Sequence, residues 1–374
     1  MSSDLFRQTR VFTANSHPNE ELRKLGTGFN CSSAGILEYK NAFTSPTLQE
    51  EHRMNKPIML VVSLTLTLFC LPVMAQNHPN RYQPTHPTRA DLSQGVNLKV
   101  NCGGKSAPSS INAALKLLNP AGPNTLIVSG SCNENVLIQG FNRLTLMGSP
   151  GVTISDASGG VAFVVDIEDS TDITLRGFTI NGGSIGVQCG NVSVCRFDQN
   201  TIQGALTGVQ VGQSRATFDT NTIQNNIQGL TSLESSSVRS NGGLVIQQNL
   251  SSGVVVASGG SFAAFGTTIQ NNGGDGIETI EGASLTLGGN TIKGNLFGVT
   301  ILGHSDAWFA PENVITGNVI DGVVVRDVSF ALFESSSTIT GNGSGVDVSC
   351  QPQYPATRAA LTNIGGGITN CVEP

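Results

Sequence analysis

The chain has 374 residues, 45 of them glycine, with 12% charged and 5% aromatic residues and a formal net charge of −6. A glycine-rich, thinly charged chain of this length excludes a disordered polymer and favours short strands joined by tight turns. No basic run and no interleaving of basic with aromatic residues is present to meet a phosphate backbone, which excludes nucleic acid as a partner.

Residues 1–53 are polar and carry no readable element; they read as a mis-called, disordered extension. At Met54 the composition shifts. Lys56, with Arg53 just upstream, gives a positive end, and the apolar run Ile58 to Leu71 is too short to span a bilayer comfortably. Val73-Met74-Ala75 before Gln76 resembles a small-residue cleavage site, so 54–75 reads as a signal peptide and 76–96 as a linker. Phe69 before Cys70 breaks the usual lipoprotein pattern. The expectation is a secreted or periplasmic chain with no stable membrane span in its mature part. Removing the leader leaves Cys102, Cys132, Cys189, Cys195, Cys350 and Cys371, which can all pair. The spacing leaves every connectivity open; sequential pairing would staple the first rung, a small loop and the C-terminal end.

Ser109 or Ser110 can cap a helix whose Ile111, Ala114, Leu115 and Leu118 follow i, i+3, i+4, i+7, with Pro120 stopping it. From Gly151 to Val348 the chain then repeats. An isoleucine closes a short β-branched stretch at Ile154, Ile180, Ile202, Ile223, Ile246, Ile269, Ile292, Ile315 and Ile339, in steps of 21 to 26 residues. Six or seven residues after most of these comes a glycine followed by an aliphatic, as in Gly253-Val254, Gly276-Ile277 and Gly298-Val299. A third apolar cluster, such as Phe262 to Phe265 or Trp308-Phe309, precedes the next isoleucine.

Three short strands per period of about 23 residues close one coil. A single coil cannot bury its inward Ile and Val; stacked coils bury them continuously, with neighbouring strands roughly 4.8 Å apart. The fold class is therefore all-β, a right-handed parallel β-helix over 97–349 with an N-terminal capping helix, and 350–374 form a C-terminal cap. Asn226, Asn249, Asn272, Asn295, Asn318 and Asn342, each three residues after a marked isoleucine, predict a stacked turn ladder. The glycines before the second strand read as turn formers.

The segments Ser110-Ile111-Asn112-Ala113-Ala114-Leu115, Thr125 to Gly130, Glu134 to Ile138, Leu144 to Gly148 and Ser170 to Ile180 resemble the opening of the pectin-lyase-like superfamily of parallel β-helix proteins. Ser170 to Ile180 is also similar to the parallel β-helix repeats of periplasmic carbohydrate-binding and sugar-hydrolase domains. The resemblance spans about residues 97–348 and implies a polysaccharide or cell-surface glycan as partner; it does not fix an activity. The paired Asp-Asp and Gly-His-Gly motifs of polygalacturonases are absent, Gly303-His304-Ser305 being a partial echo. The site motif of pectin methylesterases is absent too. Lys293 is the only lysine in the marked rungs, where pectate lyases use clustered Asp with Arg and Lys.

The candidate catalytic residues lie on neighbouring rungs: Asp275 and Glu278, with Glu281, on one, His304 on the next, and Asp321 and Arg326 on the third. Asp275 and Asp321 both precede a marked glycine, two rungs apart, which places their backbones roughly 9 to 10 Å apart, near the upper end of the inverting carboxylate spacing. Trp308, Asp306 and Asp327 are the candidate carbohydrate-binding residues. The alternative for Trp308 is that it fills the core of the third strand while His304 is exposed, and for the carboxylates that they are solvated surface charges. The turn Asp166 to Asp172 is an acidic candidate for Ca2+ without the spacing of an EF-hand; no other cofactor is called for.

Three function classes follow. A non-catalytic carbohydrate-binding protein leads, because the catalytic motifs are missing and no tyrosine lies between residues 83 and 353. A polysaccharide lyase, hydrolase or epimerase using the acidic patch is the alternative, and a structural or adhesive rod the third.

Overall fold

The computed structural model describes residues 95–371, apart from 106, 335, 344, 352–357 and 362–363. The extension, the signal peptide and nearly all of the linker read from the sequence lie outside the described residues.

The described chain is a parallel solenoid whose coils each contribute one short strand to three faces, here called A, B and C. One coil shows the plan: Ser261–Phe265 in A, Thr268–Gln270 in B and Ile277–Thr279 in C. Face C is a 10-stranded sheet. Faces A and B form one 21-stranded sheet because Asn124–Asn133 runs round their common corner and pairs on both sides of it.

Register follows from the side chains. Ile246, Ile269, Ile292 and Ile315 are direct partners on face B, all fully buried. Val254, Ile277, Val299 and Val323 do the same on face C. Strands alternate sides with period two, so slipping by one residue would turn each of these out to solvent. On face A the inward positions are Phe262 and Ala264, Leu285 and Leu287, and Ala307 and Phe309. Phe309 stacks on Phe333 with ring centroids 4.4 Å apart.

All three corners carry side-chain ladders. Asn249 donates from both its backbone N and its Nδ2 to Oδ1 of Asn272, at 3.0 and 2.9 Å, and Asn272 repeats this onto Asn295. The expected column is thus present between B and C, and Asp347 ends it by accepting the same pair of bonds from Asn342. A second, interrupted column at the A–B corner pairs Asn200 with Asn221 and Asn290 with Asn313. At the C–A corner serines do this work: Ser214 Oγ accepts from Ser193 N and Ser329 Oγ from Ser305 N. These bonds satisfy backbone donors that the turns leave unpaired inside the coil.

The glycines before face C have a different cause from the one expected. Gly276 and its equivalents do not have left-handed φ; instead a Cβ on Gly276 would sit 2.5 Å from the carbonyl oxygen of Gly298. Close stacking of successive coils, not turn conformation, demands glycine there.

The capping helix is short, Ile111–Leu115, with Ser110 accepting from Ala113 N. Glu134 holds its first turn, accepting from Ile111 N at 2.6 Å and Asn112 N at 3.0 Å, an anion at a helix N-terminus. It is not the outermost element, because Asn97–Cys102 precedes it and adds a further strand to face A. At the other end Arg358–Leu361 extends face A beyond Phe330–Phe333. The disulfides join Cys102 to Cys132, Cys189 to Cys195 and Cys350 to Cys371, the sequential pairing.

Candidate functional site

Outward positions of face C form a single column, in which Val255, Glu278, Thr300 and Val324 are successive partners. Asp275 and Asp321 stand just before their strands on this face, and Arg326 just after Val323–Val325. Four of the sequence-predicted residues, Asp275, Glu278, Asp321 and Arg326, are therefore gathered on one face within three rungs.

Burial dominates the electrostatics here. It pushes the Asp275 carboxyl up to about 7, the Thr300 hydroxyl opposing the rise, the neighbouring Glu278 adding to it and the Arg326 guanidinium drawing it back. Glu278 is also raised by burial, against a hydrogen bond from Ser252 Oγ at 3.4 Å. The Thr300 hydroxyl lies near enough to lower the Asp275 pKa, yet Thr300 Oγ1 completes no hydrogen bond of good geometry; nor does Arg326 Nε. Buried polar atoms without partners are uncommon in folded proteins. A carboxyl raised to about 7, a second carboxyl raised by burial, a hydroxyl and a guanidinium can thus exchange hydrogen bonds with a hydroxylated ligand.

The other predicted residues lie elsewhere. His304 and Asp327 belong to the C–A corner, both with left-handed φ (64° and 53°), joined by a backbone bond from His304 N to Asp327 O. Glu281 sits on the same corner and accepts from Ser258 Oγ at 2.6 Å. Asp306 and Trp308 are on the outer side of face A, where Ser284 donates to Asp306 at 2.9 Å. Trp308 is 44% exposed, so the core-filling alternative is corrected: in the strand Asp306–Phe309 period two sends Ala307 and Phe309 inward. Phe330, 38% exposed, faces out on the next rung.

The turn Asp166 to Asp172 wraps the C–A corner, with Asp166 in a face C strand and Asp172 in a face A strand. Among the described residues the one trio of metal-ligand type is Cys102, Cys132 and Glu134, and its sulfurs are joined in a disulfide. What the sequence reading did not single out is Asp166 itself as a face C residue. It follows Leu137 in the column that leads through Gln188, Gln210, Thr231 and Val255 to Glu278. Burial first, then Glu168, raises it to about 7. The period-two pattern of Phe163–Glu168 was the available signal.

A family model described as a right-handed β-helix region matches residues 163–311. Among solved structures, the chain is similar to the A-module of a mannuronan C-5 epimerase from Azotobacter vinelandii. Identity is 16% and the TM-score 0.53, over 64% of this chain and 74% of that one. A second mannuronan C-5 epimerase A-module from that organism is 13% identical at TM-score 0.42, over 70% of this chain and 86% of that one. A pectate lyase is 12% identical at 0.41, over 69% and 75%. No curated protein matches the chain. The fold is a right-handed parallel β-helix.

Proposed function

We propose that this chain is an exported polysaccharide-binding β-helix protein that holds a glycan across the outer side of face C, over Asp275, Glu278, Thr300 and Arg326. The observation that carries the reading is the Asp275 cluster: a carboxyl raised to about 7 beside a second carboxyl, with a buried hydroxyl and a guanidinium Nε lacking partners. Such a set donates and accepts at once, as pairs of sugar hydroxyls require. Export is supported by the leader-like 54–75 and by three disulfides, which suit an oxidising compartment. Among the described residues no helix is long and apolar enough to cross a membrane.

A catalytic reading is favoured by the same carboxyl, because an acid with a pKa near 7 is suited to proton transfer at neutral pH. In that reading Asp275 is the proton donor, Glu278 or Asp321 the second carboxylate, and Arg326 the group that steadies developing negative charge. A glycan array read with the full chain, followed by reducing-end and unsaturated-product assays on every polymer captured, separates the two. Capture without product, weakened in Asp275→Ala, is the expected result. Product formation abolished in Asp275→Asn would establish the enzyme. Silence in both assays would leave a structural rod.

A further inference from the structure

We infer that the B–C corner carries a second binding site, for a neutral extended polysaccharide running parallel to the solenoid axis. An open groove of about 900 Å³ follows this corner from Ser155 to Gly273. That path crosses successive rungs, so it is roughly 24 Å long at about 4.8 Å per rung. Its length suits a polymer rather than a small metabolite.

One wall is a row of exposed amides, Asn225, Gln248 and Asn271, one per rung. The other is a row of exposed aliphatics two residues further on: Leu206 is 54%, Ile227 42% and Leu250 75% in contact with solvent. The amide row occupies a left-handed position, with φ of 55° at all three residues. On the flanking rungs the same position is Gly204 and Gly294, also at positive φ. Glycine takes this conformation without penalty and a side chain, glutamine above all, does not. Asparagine tolerates this conformation as well, so it is Gln248 that is kept where the backbone prefers glycine.

Beside them a second amide row is already ordered. On face B, Gln224 Nε2 donates to Gln203 Oε1 at 3.1 Å, Gln247 to Gln224 at 3.0 Å and Gln270 to Gln247 at 2.8 Å. Gln224 and Gln247 each spend one of two N–H donors and one of two lone pairs in this row, so half of their capacity remains. Because the row is fixed before a ligand arrives, little side-chain freedom is left to lose on binding.

The occupant follows from charge and period. Among the described residues no cationic side chain lines the groove, and the one carboxylate among them, Asp156 at the end, is engaged by Asn135, Ser158 and Gly160. A polyanion finds no counter-charge. An extended peptide presents its groups every 3.3 Å or so, out of step with rungs about 4.8 Å apart. A pyranose chain advances by about one rung per sugar, offering hydroxyls to the amides and C–H faces to Leu206, Ile227 and Leu250. The site is separate from face C and does not rest on the reading proposed for Asp275.

The test is calorimetric titration of the full chain with galactomannan, xylan and hydroxyethyl cellulose, against polygalacturonate and a neutral extended peptide. The variant is the triple Asn225→Gly, Gln248→Gly, Asn271→Gly, in which glycine relieves the left-handed backbone, so the thermal midpoint holds or rises. Binding of at least one neutral polymer, weakened tenfold or more in the triple variant, is expected. Unchanged affinity in the triple variant, with loss confined to Asp275→Ala, would assign all binding to face C and overturn the inference. Failure of all three neutral polymers to bind, or preference for polygalacturonate or the peptide, would overturn it too.

Discussion

Asn272 and Glu278 are six residues apart in one rung, yet their neighbours on adjacent rungs could hardly differ more. Above and below Asn272 stand Asn249 and Asn295; above and below Glu278 stand Val255 and Thr300. Inside the solenoid the environment of a residue is its own copy one rung away, so a single solution recurs. On the outer side of face C nothing enforces recurrence, and Val255, Glu278, Thr300 and Val324 follow one another in a single column. Inside the coil, repetition indicates architecture.

The largest test of this contrast is within one strand. Ile269→Ala should cost about 2–5 kcal/mol, because the void lies between Ile246 and Ile292 and the stacked coils relax little. Thr268→Ala, the outward neighbour, should stay within about 0.5 kcal/mol in the same thermal unfolding series. Equal losses would mean that inside and outside are not distinguished as described.

Next in size is the ladder. Asn272→Ala removes the acceptor of two Asn249 bonds and should destabilise by about 1–3 kcal/mol in urea unfolding. Strain from a replacement by leucine at the same site would add to this rather than offset it.

Smaller, and opposite in sign, are two pH effects. At Asp347 burial tends to raise the pKa, but hydrogen bonds from Ile368 and Asn342 outweigh it and leave the carboxyl below its ordinary value. Its contribution is full above the ordinary carboxylate range and is lost as pH falls through the folded value. Asp347→Asn should flatten that acid limb. Asp275 is raised to about 7 from an unfolded value near 3.9, so folding takes up a proton between those limits. Stability should therefore decline as pH rises through that window; Asp275→Asn should lessen the decline and leave the part due to Asp166, which is raised to about 7 as well.

The isoleucine and Asn226-to-Asn342 columns were legible because identical environments force identical residues at a fixed interval. The A–B column was not, since Leu244 and Thr267 interrupt it between Asn221 and Asn290 and no unbroken asparagine series announces it. The orientation of Trp308 hung on Ala307: the register that aligns Ala307 and Phe309 with Leu285 and Leu287 decides which aromatic is inside. Grouping Asp275, Glu278, Asp321 and Arg326 was possible from the period alone. Placing His304 on a corner and Trp308 on another face was not, because turn lengths, not the period, set where each coil bends. The elevated Asp275 pKa comes from burial, which exists only once the rungs are stacked.

The most direct test of the central claim is the affinity of wild-type protein and Asp275→Asn for a captured polysaccharide, measured from pH 5 to pH 9. If a protonated Asp275 donates to the glycan, wild-type affinity falls as pH rises through about 7, while the variant, whose amide stays uncharged and keeps a donor, shows a flat profile. Superimposable profiles would contradict the assignment of the glycan to face C.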